Sequence, residues 1–304
     1  MTLTSTLPKK SVVGDNKAAN TAATFTESIT APDIKLEDFI SFRDYIHEKS
    51  GMYFPETKMY LVKNRLGNRM NQLGIKNFKD YFYMVKYDTG MKEFNVLMNL
   101  LTTNETSFFR NMPQIEAFTD EALPKIMETK QPGSTLRIWS AGCSTGEEPY
   151  TMSMNIMEKI LNYTSYNVEI IANDISLEVL TAARKGIYHE LSLRTTPKLY
   201  IDKYFTKKGN VYHIKDIVKK LVKFSQINMI DSMKMSLIRN VDIIFCRNVT
   251  IYFSDEIKRK IVKYFYNSLV KGGYYFIGHS ESLHGISKAF KLVYFKNGLV
   301  YKKE

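Results

Sequence analysis

The stretch Leu136-Arg137-Ile138-Trp139-Ser140-Ala141 leads directly into Gly142-Cys143-Ser144-Thr145-Gly146-Glu147-Glu148-Pro149-Tyr150. A short apolar run, a glycine-bearing turn and an opening helical pattern predict a strand, a tight turn and a helix. Three further apolar runs share the texture of the first: VEIIAN (168–173), VDIIFC (241–246) and YYFIG (274–278). Helical patterns fall near Glu148 to Leu161, Leu177 to Lys185 and Asp255 to Leu269. Strands joined by helical crossovers argue for an α/β fold whose mostly parallel sheet is covered on both faces. Near the end, KLVYF and LVYKK flank Lys296-Asn297-Gly298, an Asn-Gly hairpin signal, so the sheet is expected to finish antiparallel. The connection from Asp174 to Asn240 is longer than one crossover needs. Within it YIDKYFT and NVYHI flank Lys207-Lys208-Gly209, which predicts a small inserted β subdomain over about 186–226.

Upstream the pattern is helical. Residues 1–32, rich in Thr, Ala, Ser and Asn, hold too little apolar surface to offset the entropy of ordering and read as a flexible tail. From Asp33, Ile34, Phe39, Phe42 and Ile46 are spaced for one helix face, and Gly51 is placed to end that helix. Pro55 opens a second helix with Met59, Val62, Leu66, Met70 and Leu73 on one face and Lys58, Arg65 and Arg69 on another. Periodic segments near 78–87 and 91–102 complete an expected all-α domain over 33–112, leaving 113–304 for the sheet domain.

Composition narrows the class. At 44% hydrophobic and 24% charged residues, the 304-residue chain is an ordinary globular sequence. It has no run approaching the ~20 apolar residues that span a bilayer, and its first residues lack a signal-peptide core, so a cytoplasmic protein is expected. Two cysteines, Cys143 and Cys246, with no CxxC or His/Cys cluster, argue against a disulfide framework or metal site. Lys and Arg number 43 against 31 Asp and Glu, a net +12 that favours an acidic partner without naming it.

The turn after the first strand carries most of the chemistry. Its glycines follow GxxxG, so both the dinucleotide fingerprint GxGxxG and the phosphate-loop GKS/T are missing. Glu147 and Glu148 stand at a helix start, where a phosphate would need bare N–H groups and positive potential. A cofactor with a ribose, no phosphate and cationic centres suits the turn better, as S-adenosylmethionine does. Asp174, at the end of the second strand, is placed to accept hydrogen bonds from ribose hydroxyls. Taken singly, the turn also reads as a plain strand-to-helix connection, and Asp174 as a cap for the helix near Leu177.

Five ordered motifs, NETSFFR (104–110), WSAGCSTGEEPY (139–150), ANDIS (172–176), CRNVTIYF (246–253) and GHSESL (278–283), resemble the chemotaxis receptor methyltransferase family, the CheR-type protein-glutamate O-methyltransferases. The resemblance runs from about Leu36 to Tyr301. It implies an all-α N-terminal domain, then an S-adenosylmethionine-dependent methyltransferase sheet of Rossmann-like type carrying a small β subdomain. The implied activity is methylation of glutamates on the cytoplasmic signalling domains of chemoreceptors, with S-adenosylhomocysteine as product. By motif, Asn104, Thr106, Arg110, Gly142, Glu148, Asp174, Asn228, Met229, Arg247 and Asn248 should surround the cofactor. Arg110 and Tyr252 should serve the transfer, with Arg110 on either the cofactor or the substrate carboxylate. Lys58, Arg65 and Arg69 match the family's basic receptor-docking helix, and a monomer is expected. Cys143 stands where many relatives carry Ala, Thr250 where Leu or Met is common, and the hairpin at Lys207 to Ile214 is short beside relatives that grip a receptor tether.

The residues leave two rival readings. A nucleic-acid methyltransferase would explain the positive charge, but the (Asn/Asp/Ser)-Pro-Pro-(Tyr/Phe) element of amine-methylating enzymes is missing. Cys246 beside Arg247 would have to be the nucleophile of a cytosine enzyme. A cofactor-binding module that docks on receptors without transferring a methyl is the other, and intact Arg110, Asp174, Asn248 and Tyr252 speak against it. His279 in GHSESL reads as a structural hydrogen bonder rather than a base.

Overall fold

The computed structural model describes residues 33–304, and the expected tail, 1–32, lies outside the described residues. The chain opens with α1 (Leu36–Ser50), a 3-10 turn at Glu56–Lys58, α2 (Met59–Gln72), α3 (Phe78–Tyr87) and α4 (Lys92–Leu101). The apolar stripe foreseen for the first helix is buried: Phe39, Phe42 and Ile46 pack against Val62, Leu66 and Met70 of α2 and Phe78 and Phe82 of α3. Gly51, at φ 77°, ends α1 in the left-handed conformation.

The charged face of α2 is not simply solvated. Arg69 grips Glu93 of α4 through two bonds, Nε to Oε1 at 2.9 Å and Nη2 to Oε2 at 2.6 Å, and the Tyr81 hydroxyl donates to the same carboxylate at 3.0 Å. Arg65 donates to the carbonyl of Leu101 and to Thr103 Oγ1. Lys58 alone of the three basic residues is exposed. Arg65 and Arg69 therefore tie α2 to α4 and to the segment that leaves it.

Residues 104–110 already belong with the sheet layer. Phe108 and Phe109 are buried among Tyr188, Tyr200 and Phe205, so the chain leaves the helices earlier than the expected join near Asn111 to Pro113. α5 (Met112–Glu116) runs through a π-helical segment (Ala117–Ala122) into α6 (Leu123–Met127). Then come β1 (Thr135–Ala141), α7 (Glu147–Lys159), β2 (Asn167–Asp174) and α8 (Leu177–Lys185). The inserted unit holds β3 (Ile187–His189), α9 (Lys198–Tyr204), β4 (Phe205–Lys208) and β5 (Val211–Ile214), its three strands forming a separate antiparallel sheet in the order β3-β5-β4. α10 (Asp216–Lys219) leads to β6 (Val222–Gln226), followed by α11 (Ser232–Leu237), β7 (Val241–Cys246), α12 (Asp255–Ser268), β8 (Leu269–Ile277), β9 (Phe290–Phe295) and β10 (Gly298–Lys303).

The main sheet has seven strands in the order β6-β2-β1-β7-β8-β10-β9. β6, β2, β1, β7 and β8 run parallel, and β10 enters antiparallel between β8 and β9. The hairpin closes through Lys296-Asn297, with Gly298 paired to Phe295. Two expectations change in the insertion. YIDKYFT is helical as far as Tyr204, because Tyr204 buries against the Phe108 cluster. Val222–Gln226, placed with the subdomain by sequence, pairs with β2 in the main sheet. Both faces of β7 are covered: Ile243 and Phe245 join Phe118, Ile138 and Phe276 on one side, and Ile244 and Cys246 join Trp139, Ile261 and Phe265 on the other. That is why its sequence is a continuous apolar run rather than an alternating one. No helix among the described residues is long and apolar enough to cross a membrane.

The helical layer is fastened to the sheet layer beside the carboxyl ends of the strands. Met52 bridges to Phe253, Tyr53 N–H donates to the Tyr252 carbonyl at 2.9 Å, and Asn228 Nδ2 donates to the Lys49 carbonyl at 2.6 Å. Because Arg69 and Glu93 are a hydrogen-bonded pair with little water around the carboxylate, Glu93→Ala strands a guanidinium and a phenol together. It is expected to cost about 2–3 kcal/mol of unfolding free energy, at or below the low end for buried pairs because Arg69 stays partly wet. Urea denaturation reads this, and a loss under ~0.5 kcal/mol would mark the contact as an ordinary surface pair.

Candidate active site

Strand order reverses about β1, with β2 and β6 to one side and β7 and β8 to the other. Ligands of open α/β sheets bind in the crevice at such a point, outside the carboxyl ends. A cleft with a cavity volume of about 310 Å³ lies there, walled on the helical side by Ser50, Met52, Thr102 and Thr103. Asn104, Thr106, Arg110, Gly142, Glu148, Asp174, Asn228, Met229, Arg247, Asn248 and Tyr252 all line it. Lys58, Arg65 and Arg69 do not, although Arg65 reaches the cleft wall through Thr103.

The turn after β1 is clamped to β2. Gly142 and Cys143 both donate their N–H groups to the Asn173 carbonyl, at 2.8 and 2.9 Å. Gly142 has φ 81°, and a Cβ there would stand 2.4 Å from Val249 Cγ2, so neither the backbone nor the space admits a side chain. Asp174 is 9% exposed and accepts from the N–H of Ser144 on Oδ2 at 2.9 Å and of Ser176 on Oδ1 at 3.0 Å. Burial pushes its carboxyl up from the ordinary range, and the backbone N–H groups of Ser176 and Ser144 pull the other way. The cap of α8 is the Ser176 hydroxyl, which accepts from Val179 N–H, so the capping role open to Asp174 falls to its neighbour.

The two glutamates that open α7 part company. Glu147 is buried, takes a hydrogen bond from Thr145 Oγ1 at 2.7 Å, and has its carboxyl pushed up by burial. Glu148 lines the cleft, accepts from Ser140 Oγ at 2.8 Å and pairs with Arg247 Nε at 2.6 Å. Arg247 Nη1 also donates to the Arg110 carbonyl at 2.9 Å and to Gln114 Oε1 at 3.0 Å. Gln114, in turn, donates to the Ile277 carbonyl at 2.7 Å.

Arg110 is part-exposed and donates from Nη1 to the Glu105 carbonyl at 2.7 Å; with five N–H donors, a guanidinium so held retains donors for a carboxylate. Thr103 N–H donates to the Tyr252 hydroxyl at 3.3 Å. Asn104 is held by Asn99 and Thr102, and its carbonyl accepts from Ser144 Oγ at 3.2 Å. Sequence reasoning missed Gln114, Ser144 and Glu281. Glu281 and Ser144 left a signal, their places in GHSESL and WSAGCSTGEEPY, while Gln114 meets its partners only in the folded chain.

This donor set fits S-adenosylmethionine. Asp174 offers carboxylate acceptors that would suit a ribose diol. Ile175, Ile227, Met229 and Val249 supply apolar surface for a purine, and the cleft has Arg110 for a carboxylate with Glu105 and Glu148 for an ammonium group. Among the described residues that line it there is no lysine, and of its two arginines Arg247 is already paired with Glu148. Fold and site together define an S-adenosylmethionine-dependent methyltransferase.

The family model "CheR methyltransferase, SAM binding domain" matches residues 104–299, and "CheR methyltransferase, all-alpha domain" matches 37–102. The chain belongs to the CheR methyltransferase family. Chemotaxis protein methyltransferase 2 of Vibrio cholerae serotype O1 is 36% identical to it over 267 residues, covering 88% of this chain and 92% of that protein. The chemotaxis protein methyltransferase of Borreliella burgdorferi is 36% identical, covering 79% of this chain and 86% of its own. Chemotaxis protein methyltransferase 1 of Pseudomonas aeruginosa is 35% identical, covering 87% and 97%.

Cys246 ends β7 fully buried, and burial pushes its thiol well above the usual range, as it does for Cys143. A nucleophilic cysteine needs the opposite shift and an accessible sulfur. Cys246→Ser is therefore expected to keep turnover within about threefold while losing about 1–3 kcal/mol of stability to a buried hydroxyl. Methyl-transfer assays paired with thermal unfolding test this, and abolished turnover with intact cofactor binding would restore covalent chemistry.

Proposed function

We propose that this chain transfers the methyl group of S-adenosylmethionine to glutamate side chains of chemoreceptor cytoplasmic signalling domains, giving glutamate methyl esters and S-adenosylhomocysteine, in the cytoplasm and for sensory adaptation. The observation that carries the reading is that one cleft is lined together by the Arg110 guanidinium, the Asp174 carboxylate at the end of β2 and the Glu148 carboxylate in the first turn of α7. The names of the relatives, chemotaxis protein methyltransferases, support the receptor as substrate.

The chemistry asks little of an acid or base. Bound S-adenosylmethionine supplies an electrophilic methyl group on a sulfonium. A glutamate carboxylate is already ionised at pH 7, so no residue has to take its proton. The work of the chain is to orient and to exclude water. Arg110 presents a planar donor fork to a carboxylate at the rim, matching two oxygens at once. Tyr252, held by Thr103 above and Tyr53 below, walls the side of the cleft between the two layers. Arg247 neutralises Glu148, so an incoming carboxylate meets a paired charge rather than a bare one.

Docking of receptor helices is assigned to the exposed surface of α2 and of the 3-10 turn that leads into it. Lys58 and Arg65, which among the described residues has no acidic partner, supply its positive potential. Arg69 contributes less, because Glu93 cancels its charge.

Radiolabelled S-adenosylmethionine incubated with receptor cytoplasmic fragments should label them, and Glu→Gln changes at the modified positions should remove the label. No label on any fragment would leave a receptor-docking binder, and label on nucleic acid instead would favour the rival class. Arg110→Ala is expected to lower kcat/KM for the receptor fragment about 10–100-fold, the worth of a charge-assisted contact. An unchanged kcat/KM would remove Arg110 from the site.

A further inference from the structure

The turn that follows β7 carries Asn248, Val249 and Tyr252 into the cleft, and its conformation is not one the backbone adopts freely. Asn248 has φ 60°, in the left-handed region, which asparagine tolerates better than other non-glycine residues and which hydrogen bonds from its surroundings hold in place here. What holds it is a carboxylate that does not itself line the cleft. Glu281 Oε2 accepts from Asn248 N–H at 2.7 Å and from Gly278 N–H at 2.7 Å, while Oε1 accepts from the Thr250 hydroxyl at 2.6 Å. Glu281 N–H closes the loop on the Gly278 carbonyl at 3.0 Å.

The approach is close enough to exclude a side chain at position 278. A Cβ on Gly278 would lie 2.5 Å from Glu281 Oε2 and 2.9 Å from Asn248 N. One carboxylate thus binds the end of β8 to both ends of the Asn248–Thr250 turn, through hydrogen bonds to an anion, which are roughly twice as strong as neutral ones. Among the described residues no cation pairs with Glu281, so its charge is spent on these three donors. Downstream of them, Val249 packs over Gly142 and the Tyr252 hydroxyl meets Thr103 N–H.

We propose that Glu281 is a positioning residue for methyl transfer, acting through Asn248 and Tyr252 by fixing the turn that places them. The inference rests on the proposed activity for its kinetic consequence but not for its structural one. A residue with this role should move three readouts that general stability would not move together.

The test uses full-length Glu281→Ala and Glu281→Gln, the latter keeping shape and one acceptor oxygen. Without ligand, amide hydrogen exchange at Asn248 and Gly278 should quicken at least about tenfold, while the β1–β2 pairing keeps wild-type protection. Calorimetric affinity for S-adenosylhomocysteine should fall about 10-fold in Glu281→Ala and less in Glu281→Gln. With receptor fragments, kcat should fall more than KM rises. Adding Tyr252→Phe to Glu281→Ala should cost no more than about threefold beyond the larger single loss, since residues acting as a unit are not additive. Wild-type exchange at both amides, or losses that multiply in the double variant, would overturn the proposal. Should Glu281→Ala not fold, the exchange and affinity measurements on Glu281→Gln decide in the same way. A wild-type protein that binds S-adenosylhomocysteine but labels no receptor would sink the proposed substrate and leave the exchange result to judge Glu281.

Discussion

A guanidinium with 5% of its side-chain surface open to water must find its partners inside the fold, and Arg247 does so with three. Glu148 meets its charge, while the Arg110 carbonyl and Gln114 Oε1 take further donors. Taking such an ion out of water costs several kcal/mol, and removing a partner from a buried pair typically costs ~3–5 kcal/mol, so the arrangement is held as a unit or not at all. The unit joins the end of β7, the first turn of α7, the 104–110 segment and α5. The wall of the cleft formed by Arg110, Glu148 and the turn after β7 is tied to that single side chain.

Around this hub the electrostatics are acidic where a nucleotide site would be basic. The α7 start carries two carboxylates, one buried and one paired, and β2 ends in a carboxylate bonded to two backbone N–H groups. The helical layer closes the remaining side, and its hold on the cleft runs through direct bonds: Arg65 to Thr103, Thr103 to Tyr252, Tyr53 to Tyr252. Arg65 on α2 is therefore two hydrogen bonds away from the tyrosine in the cleft.

Much of this was legible in the sequence, and the exceptions have physical reasons. The runs at 136–141, 168–173 and 241–246 announced themselves because strands buried on both faces are apolar throughout. β6 did not, since Lys223 and Gln226 at the sheet's edge remain exposed and break the apolar run. YIDKYF has the aromatic content of a strand, but its period brings Tyr200 and Tyr204 to one side of a helix against the Phe108–Phe109 cluster. Most of the named cleft residues sit in the five motifs, Asn228 and Met229 outside them. What they do to one another was not legible there, because Arg247 and Glu148 are 99 positions apart and Asn248 and Glu281 are 33 apart. The basic stripe on α2 was seen, whereas the partners that occupy Arg65 and Arg69 lie 24 to 38 residues away and left no local trace.

The central claim is that the crevice beside the β1–α7 turn is built for a cationic, phosphate-free ribonucleoside. Isothermal titration of the full chain with S-adenosylhomocysteine, ATP and NAD side by side tests it most directly. The account predicts a one-to-one heat signal with S-adenosylhomocysteine alone, and saturable binding of ATP or NAD with none for S-adenosylhomocysteine would contradict it.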